Sequence, residues 1–147
     1  MNNSLVAWSP PTPALVVAGL GGVVLGTCAA ALPLDPPGRL LVGLAAFGLL
    51  VITGLGFRLR PRLAVLPGPR LQIAGVLGPK VYEPHEVTKV RVVRFPRLGR
   101  KTPMLEIDVR QADEERLHVL SRWDLGRNPD DVFDALSVHG LVRSAER

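Results

Sequence analysis

Two long stretches without a charged side chain constrain this chain more than any other feature. Residues 14–32 contain no Asp, Glu, Lys or Arg, and residues 40–57 contain none either. Helices of these lengths measure roughly 27–29 Å at about 1.5 Å per residue, which matches the hydrocarbon thickness of a bilayer. A helix that is apolar on every face is rare in the core of a small soluble protein. The sequence therefore predicts two transmembrane helices.

The seven residues between these stretches predict a tight connection. Residues 33–39 read Pro-Leu-Asp-Pro-Pro-Gly-Arg and are rich in residues that break helices. A connection this short makes the two helices antiparallel neighbours, so residues 14–57 are predicted to form a transmembrane α-helical hairpin. The N-terminal segment 1–13 and the rest of the chain then lie on one side of the membrane.

The distribution of Lys and Arg predicts which side that is. Segment 1–13 has neither residue and the connection has only Arg39, whereas Arg58, Arg60 and Arg62 directly follow the second helix. Cytoplasmic flanks carry the excess of positive charge. These three arginines are therefore the predicted topology anchor, and the protein is predicted to reside in the inner (plasma) membrane with both termini cytoplasmic.

Two other interpretations of the first apolar stretch fit less well. A cleaved signal peptide starts with a basic segment, which residues 1–13 lack, although residues 29–31 (Ala-Ala-Ala) resemble a cleavage site. Residues 25–28 (Leu-Gly-Thr-Cys) resemble a lipoprotein signal, but Thr27 suits it poorly and the basic start is again missing. Cys28 is the only cysteine, which excludes a disulfide scaffold. It is interpreted as a small apolar residue within a span.

Small residues recur every four positions along the first stretch. Such a stripe lets a second helix approach closely. That helix is either the chain's own second span or, in a homodimer or a complex, a helix of a partner. The short connection favours the chain's own span. The helix-packing residues predicted in this way are Ala18, Gly22, Gly26 and Ala30.

Residues 58–142 have a different pattern and are predicted to form one domain. Short apolar runs alternate with turn residues, and no helical period persists until residue 128. The predicted strands are 63–66, 71–73, 80–82, 88–95, 104–110, 116–120 and a last short strand at 122–125. Residues 96–103 are predicted to be a basic loop, and residues 111–115 a polar hairpin loop.

A short helix is predicted to follow the strands. Asn128 is a good N-cap, Pro129 suits the first turn, and two acidic residues follow near the positive helix end. Gly140 suits the C-cap. The predicted apolar face consists of Val132, Phe133, Leu136 and either Val138 or His139. Residues 143–147 are predicted to be a frayed tail.

The order of these elements predicts a mainly-β (α+β) sandwich or open barrel of six or seven antiparallel strands with one C-terminal helix. Residues 63–65, 71–73, 82–90 and 104–109, together with the terminal helix, resemble the bacterial pleckstrin-homology-like (PH-like) domains. The chain especially resembles small actinobacterial membrane proteins in which a two-helix hairpin precedes the domain. Relatives often have Trp where this chain has His85, whereas Glu86 and Val87 fit the pattern. The resemblance implies a PH-like fold and no particular activity.

We find no sequence pattern that supports catalysis. The three histidines show no metal-binding spacing, and a single cysteine cannot form a cysteine-based zinc site. No phosphate-binding loop, dinucleotide fingerprint or nucleophile elbow occurs. The sequence therefore predicts a protein that is not an enzyme and has no metal or cofactor. His85, His118 and His139 are expected to have structural roles.

Charge is distributed unevenly along the predicted domain. Residues 58–101 contain eleven Lys or Arg and two acids, whereas residues 102–147 contain six Lys or Arg and ten acids. The densest basic run is Arg91, Arg94, Arg97, Arg100 and Lys101. It is interpreted as a contact with anionic lipid, as a docking site for an acidic protein surface, or as a solvated surface that only reflects the positive-inside bias. Nucleic acid is disfavoured, since no aromatic residues are interleaved and no recognition helix is predicted.

The sequence thus predicts a non-enzymatic integral membrane protein that presents a cytoplasmic PH-like adaptor domain. The predicted role is protein assembly or contact with anionic lipids. The alternative is an accessory or assembly subunit of a larger membrane complex, in which the small residues of the first helix would face a partner.

Overall fold

The computed structural model describes residues 3–142, which divide into two compact units. One unit runs from Pro10 to Leu59, and the other combines the residues up to Ser9 with those from Arg60 onward. The first unit contains α1 (Thr12–Ala31) and α2 (Pro36–Arg58). Both helices are long and apolar enough to cross a membrane. Of the most apolar 18 residues in each, only 11% in α1 and 6% in α2 are buried. The two apolar helices thus indicate association with a membrane.

Both helices begin earlier than the charge-free stretches predicted. Each has a proline in its first turn, where no backbone N–H is needed for the helical hydrogen bonds. Asp35 is the N-cap of α2, and its side chain accepts a hydrogen bond from the Gly38 N–H. The predicted connection at 33–39 is therefore shortened, because its Pro-Pro-Gly-Arg half belongs to α2.

The second unit contains seven antiparallel strands in two sheets. The first sheet has the order β1-β2-β3-β4, formed by β1 (Val6–Trp8), β2 (Leu63–Leu66), β3 (Arg70–Gly75) and β4 (Gly78–Tyr82). The second has the order β5-β6-β7, formed by β5 (Val87–Arg97), β6 (Arg100–Gln111) and β7 (Glu114–Ser121). These two antiparallel sheets, followed by a C-terminal helix, confirm the predicted PH-like fold class.

Strand β1 lies in the segment that we predicted as a separate N-terminal piece. Trp8 pairs with Leu63, and its side chain is only 7% exposed in the core of the β unit. Three residues are too few to show an alternating pattern, and both helices separate β1 from β2 in sequence. For these reasons no local pattern predicts this strand.

Two other sequence predictions need correction. Residues 96–103, predicted as a basic loop, continue β5 and β6 to a two-residue turn. Residues 122–125, predicted as a strand, form the short helix α3 (Arg122–Leu125). The hydroxyl of Ser121 and the carboxylate of Asp124 form a reciprocal capping box that starts this helix.

The predicted C-terminal helix is confirmed as α4 (Pro129–Val138), with Asn128 as its N-cap. Its buried residues include Val132, Phe133 and Leu136. Val138 is 85% exposed and His139 is half-buried, so of the two predicted alternatives His139 fits the apolar face and Val138 does not. Leu141 follows the helix and is buried. Residues 143–147, predicted as a tail, lie outside the described residues.

The core of the β unit lies between the two sheets and is closed by α4. It is built from alternate residues of the strands, because successive side chains point to opposite faces of a sheet. The members with 2% exposure or less include Leu63, Val65, Leu71, Ile73, Tyr82, Leu105, Ile107, Val109 and Leu120.

Candidate interaction surface on the hairpin arm

The outer ends of β5 and β6 form a two-stranded arm, which we define as residues 94–103. The pairing of β6 with β7 begins only at Met104, opposite Ser121, so the arm lacks a third strand. The side chains of residues 94–101 are all exposed. Four residue pairs at about 3.3 Å per residue make the paired part of the arm roughly 13 Å long. Pro96 lies on the edge strand, where it hinders pairing with a further strand.

The arm ends in a turn of unusual composition. Leu98 and Gly99 have φ angles of 46° and 77°, the left-handed conformation that a type I′ hairpin turn needs at both positions. Asn, Asp and Gly are the usual residues at its first position. Leu98 pays a steric penalty in this conformation, and its side chain is 106% exposed. A strained, fully exposed leucine at the end of an arm points to a role in contact.

Three basic residues flank this turn. Arg97 pairs directly with Arg100 across the two strands, and Lys101 follows. Like charges on directly opposite residues are destabilising. Within residues 3–142, Arg97, Arg100 and Lys101 form no ion pair. The tip of the arm therefore carries positive charge that the described part of the domain does not neutralise.

The other two residues of the predicted basic run are bound within the domain. Arg91 lies opposite Glu106 in the ladder, with 2.6 Å between its Nε and a carboxylate oxygen of the glutamate. Glu106 is only 6% exposed, so this pair neutralises a buried charge. Arg94 lies 3.2 Å from Asp130 in the first turn of α4. The predicted site is thus divided into two residues that form ion pairs and three that form none with the described part of the chain.

The three arginines of the predicted topology anchor also lie in different environments. Arg58 is exposed in the last turn of α2, where a cation also suits the negative helix end. Arg60 is half-buried. Arg62 donates a hydrogen bond of 3.0 Å to the carbonyl of Ala74 and lies 3.7 Å from Asp124. Arg62 therefore stabilises the fold of the β unit.

The predicted helix-packing residues are only partly on the face of α1 that meets α2. A Cβ added at Gly22 would lie 3.0 Å from Cγ of Leu50, and one at Gly26 would lie 3.9 Å from Cβ of Ala46. Ala18 is half-buried, whereas Ala30 is exposed. A spacing of four residues turns by about 40° per step around a helix of 3.6 residues per turn, so the stripe drifts away from the seam. The buried residues of α1 are instead seven apart: Leu15, Gly22 and Ala29.

The histidines lie in settings that suit structural roles. Nε2 of His118 on β7 lies 3.5 Å from the hydroxyl of Tyr82. Burial, with added repulsion from the nearby cations, lowers the pKa of His118. Burial also raises the pKa of Tyr82. His85 lies on the surface 3.5 Å from Glu83, and Nδ1 of His139 lies 2.7 Å from the carbonyl of Ala135.

Two surface clefts of the β unit contain no recognisable catalytic arrangement. The first lies beside β1 and is lined by Trp8, Leu125, Arg127 and Asp131 among others. The second is lined by His85, Glu86, Thr88, Arg110 and Ala112. Within the described residues, no three His, Cys, Asp or Glu side chains lie close enough to hold a metal ion. The arm is therefore the most distinctive surface feature of the domain.

Leu98 is the feature that sequence reasoning missed. The dipeptide Leu98-Gly99 between two extended runs was the available signal, since X-Gly pairs favour tight hairpin turns. The prolines and basic residues around it made the segment look like a loop instead.

Comparisons with known proteins agree with this architecture. Residues 52–141 match the bacterial PH domain family. Two relatives from Mycobacterium tuberculosis, one in strain H37Rv and one in strain CDC 1551 / Oshkosh, are each called an uncharacterized protein. Each is 38% identical over 141 residues, which cover 96% of this chain and 97% of the relative, so the match includes the helical hairpin as well as the domain. No solved structure matches the chain. The chain belongs to the bacterial PH domain family.

Proposed function

We propose that this protein is a non-enzymatic, membrane-anchored adaptor whose arm docks on an acidic surface of another protein. The observation that carries the proposal is the tip of the arm, where Leu98 is fully exposed in a left-handed conformation between Arg97 and Arg100. A backbone conformation that costs free energy persists when a favourable interaction of the same residue compensates for that cost. Contact with a partner supplies that gain.

The composition of the tip favours a protein over a lipid surface as the partner. Protein interfaces are enriched in arginine and aromatic residues around a small apolar centre. The arm has both residue types, because Phe95, which is 40% exposed, precedes Arg97 by two residues on β5 and Leu98 by three. The guanidinium group of arginine binds carboxylates through two parallel hydrogen bonds, whereas lysine acts as a point charge. Acidic side chains on the partner would also relieve the repulsion between Arg97 and Arg100.

We place the domain on the cytoplasmic side of the plasma membrane. The pairing of β1 with β2 requires that the chain before α1 and the chain after α2 be on the same side. The positive charge that follows α2 favours the cytoplasm. Two spans already hold the protein in the membrane, so lipid affinity of the arm is not needed for anchoring.

The test uses the full-length chain, because a fragment that begins at Arg58 lacks β1 and its core residue Trp8. Leu98→Asn is the sharpest variant, since Asn tolerates the left-handed conformation while the apolar tip is lost. Arg97→Ser/Arg100→Ser/Lys101→Ser removes the charge of the tip. The matched control, Arg110→Ser/Arg116→Ser/Arg122→Ser, removes the same charge from other exposed positions.

Each variant is cross-linked in bacterial cells and purified in mild detergent, and retained proteins and lipids are identified by mass spectrometry. We expect the unchanged protein to retain a partner protein. Leu98→Asn should weaken the affinity for that partner by about tenfold or more, as loss of one interface anchor does. The triple arm variant loses it, and the control keeps it. If both arm variants retain the partner protein as well as the unchanged protein does, the proposal is wrong. Loss of bound anionic lipid instead of a protein also overturns it and assigns the arm to headgroups.

A further inference from the structure

The turn between β3 and β4 consists of two exposed aliphatic residues. Gly75 pairs with Gly78, so Val76 and Leu77 form a two-residue turn. Their exposed fractions are 65% and 102%. Gly, Asn, Asp and Ser are the usual residues of exposed turns, and the polar ones among them are well hydrated. Two large apolar side chains that are exposed at this position do not contribute to the core of the domain, so their exposure needs another explanation.

The register of the first sheet fixes the end at which this turn lies. β1 ends at Trp8, which pairs with Leu63 at the start of β2, and Leu63 pairs with Ile73 near the end of β3. The turn of Val76 and Leu77 thus extends beyond the end of the sheet where the chain leaves β1 and enters β2. The turn between β2 and β3 lies at the opposite end.

Both connections from this end to the helices are short. Residues 9–11 connect Trp8 to α1, and residues 59–62 connect α2 to β2. An extended chain covers at most about 3.6 Å per residue, so neither connection exceeds about 20 Å. When α1 and α2 span a bilayer, the covalent chain keeps this end of the sheet near the bilayer surface.

We infer that the turn of Val76 and Leu77 inserts into the interfacial region of the bilayer that the chain's own helices cross. Apolar side chains at the boundary of headgroups and acyl chains bind a membrane without spanning it. Lys80 lies opposite Ile73 on β4 and is exposed, which suits contact with headgroup phosphates close to the turn. The inference rests on the spanning hairpin of the proposed function and not on the arm.

The test places a fluorescent label on the turn of the full-length protein. The protein with Cys28→Ala and Leu77→Cys is labelled with nitrobenzoxadiazole and reconstituted into vesicles of phosphatidylethanolamine and phosphatidylglycerol. Val76→Cys is a second labelling position in the same turn. Pro69→Cys is the matched control, because it is exposed in the turn at the opposite end of the same sheet. Retention of the protein in alkaline carbonate is measured in parallel.

We expect the Leu77 and Val76 labels to emit at shorter wavelength than the Pro69 label. Lipids with a doxyl quencher should quench them severalfold more strongly than they quench the control, and aqueous iodide should quench them less. If both labels on the turn respond to iodide as strongly as the control while carbonate leaves the protein in the membrane, this inference is wrong and the proposed function stands. If carbonate extracts the protein, the spanning hairpin and this inference both fall.

Discussion

The helical unit and the PH domain place most of their large apolar side chains in opposite positions. In the helical unit, small residues such as Gly22, Ala29 and Ala46 are buried, whereas Leu41 is 68% exposed. In the domain, Leu71 and Leu105 are fully buried, and the strands expose charged residues. The two units contain similar aliphatic residues, but most of these side chains are exposed in the helical unit and buried in the core of the domain.

This difference is what we expect if hydrocarbon surrounds the helical unit, as its two apolar helices indicate, and water surrounds the domain. In water, the apolar surface that is removed on folding supplies the main driving force. In hydrocarbon that force is lost between helices, and close packing of small residues takes its place. The same substitution should therefore have different effects in the two units.

The largest expected difference is between two leucines. Leu105→Ala leaves a cavity in the domain core and should lower the free energy of unfolding of the domain by about 2–5 kcal/mol. Leu41→Ala should leave it unchanged, because Leu41 belongs to the exposed surface of the helical unit. Denaturant unfolding of the full-length protein in micelles measures both, and the fluorescence of Trp8 and Trp123 reports on the domain. An equal loss for Leu41→Ala would contradict the division into two units.

A smaller difference is expected between two glycines of the helices. Gly22→Val places a branched side chain against Leu50 and should destabilise the packing of α1 on α2 by about 1–3 kcal/mol. Gly43→Val is the matched control, because a Cβ added at Gly43 meets nothing within 4 Å. Unfolding of the hairpin in mixed micelles with increasing dodecyl sulfate measures the two variants. If they behave alike, the helices do not pack along Gly22.

The smallest expected effect is a pH dependence in the domain. The folded state lowers the pKa of His118 below its usual value near 6.5, so the unfolded chain takes up the proton first. Stability from this group is fully present above about pH 6.5 and is lost as the pH falls below that value. For one proton the slope is at most about 1.4 kcal/mol per pH unit, and the half-exposed position of His118 reduces it.

His118→Gln should therefore flatten the dependence of domain stability on pH between about pH 7 and pH 5, where histidine titrates. The other two histidines are present in both proteins, so the difference between the curves reports His118. Lys80, Arg62 and Arg116 are the cations that act on it, and Tyr82 lies beside its ring. Identical slopes for the two proteins would show that His118 titrates normally in the folded domain.

The long elements were predictable because each carries a local signal. The charge-free stretches predicted α1 and α2, and Asn128 with Pro129 predicted the start of α4. The strand 63–66 was predicted with its observed bounds because turn residues follow it directly. The fold class and the family resemblance followed from the order of these elements and are confirmed.

The candidate site was only half predictable, because pairing partners come from distant residues. The basic run on β5 is visible in the sequence, but Glu106 and Asp130 neutralise two of its members from β6 and α4. Nothing local distinguishes Arg91 from Arg97. The division became visible only in the folded structure, where the ladder register places Glu106 opposite Arg91 and α4 brings Asp130 to Arg94.

By itself, the sequence determined the two long apolar helices, the separate β-rich domain, its C-terminal helix and the basic segment on β5. These features depend on composition and on local periodicity, which neighbouring residues already contain. Only the tertiary structure decided that β1 completes the first sheet, that residues 94–103 form an arm ending in Leu98, and that three of the five basic residues have no ion-pair partner within residues 3–142. Those features depend on contacts between residues far apart in sequence, and such contacts exist only once the chain has folded.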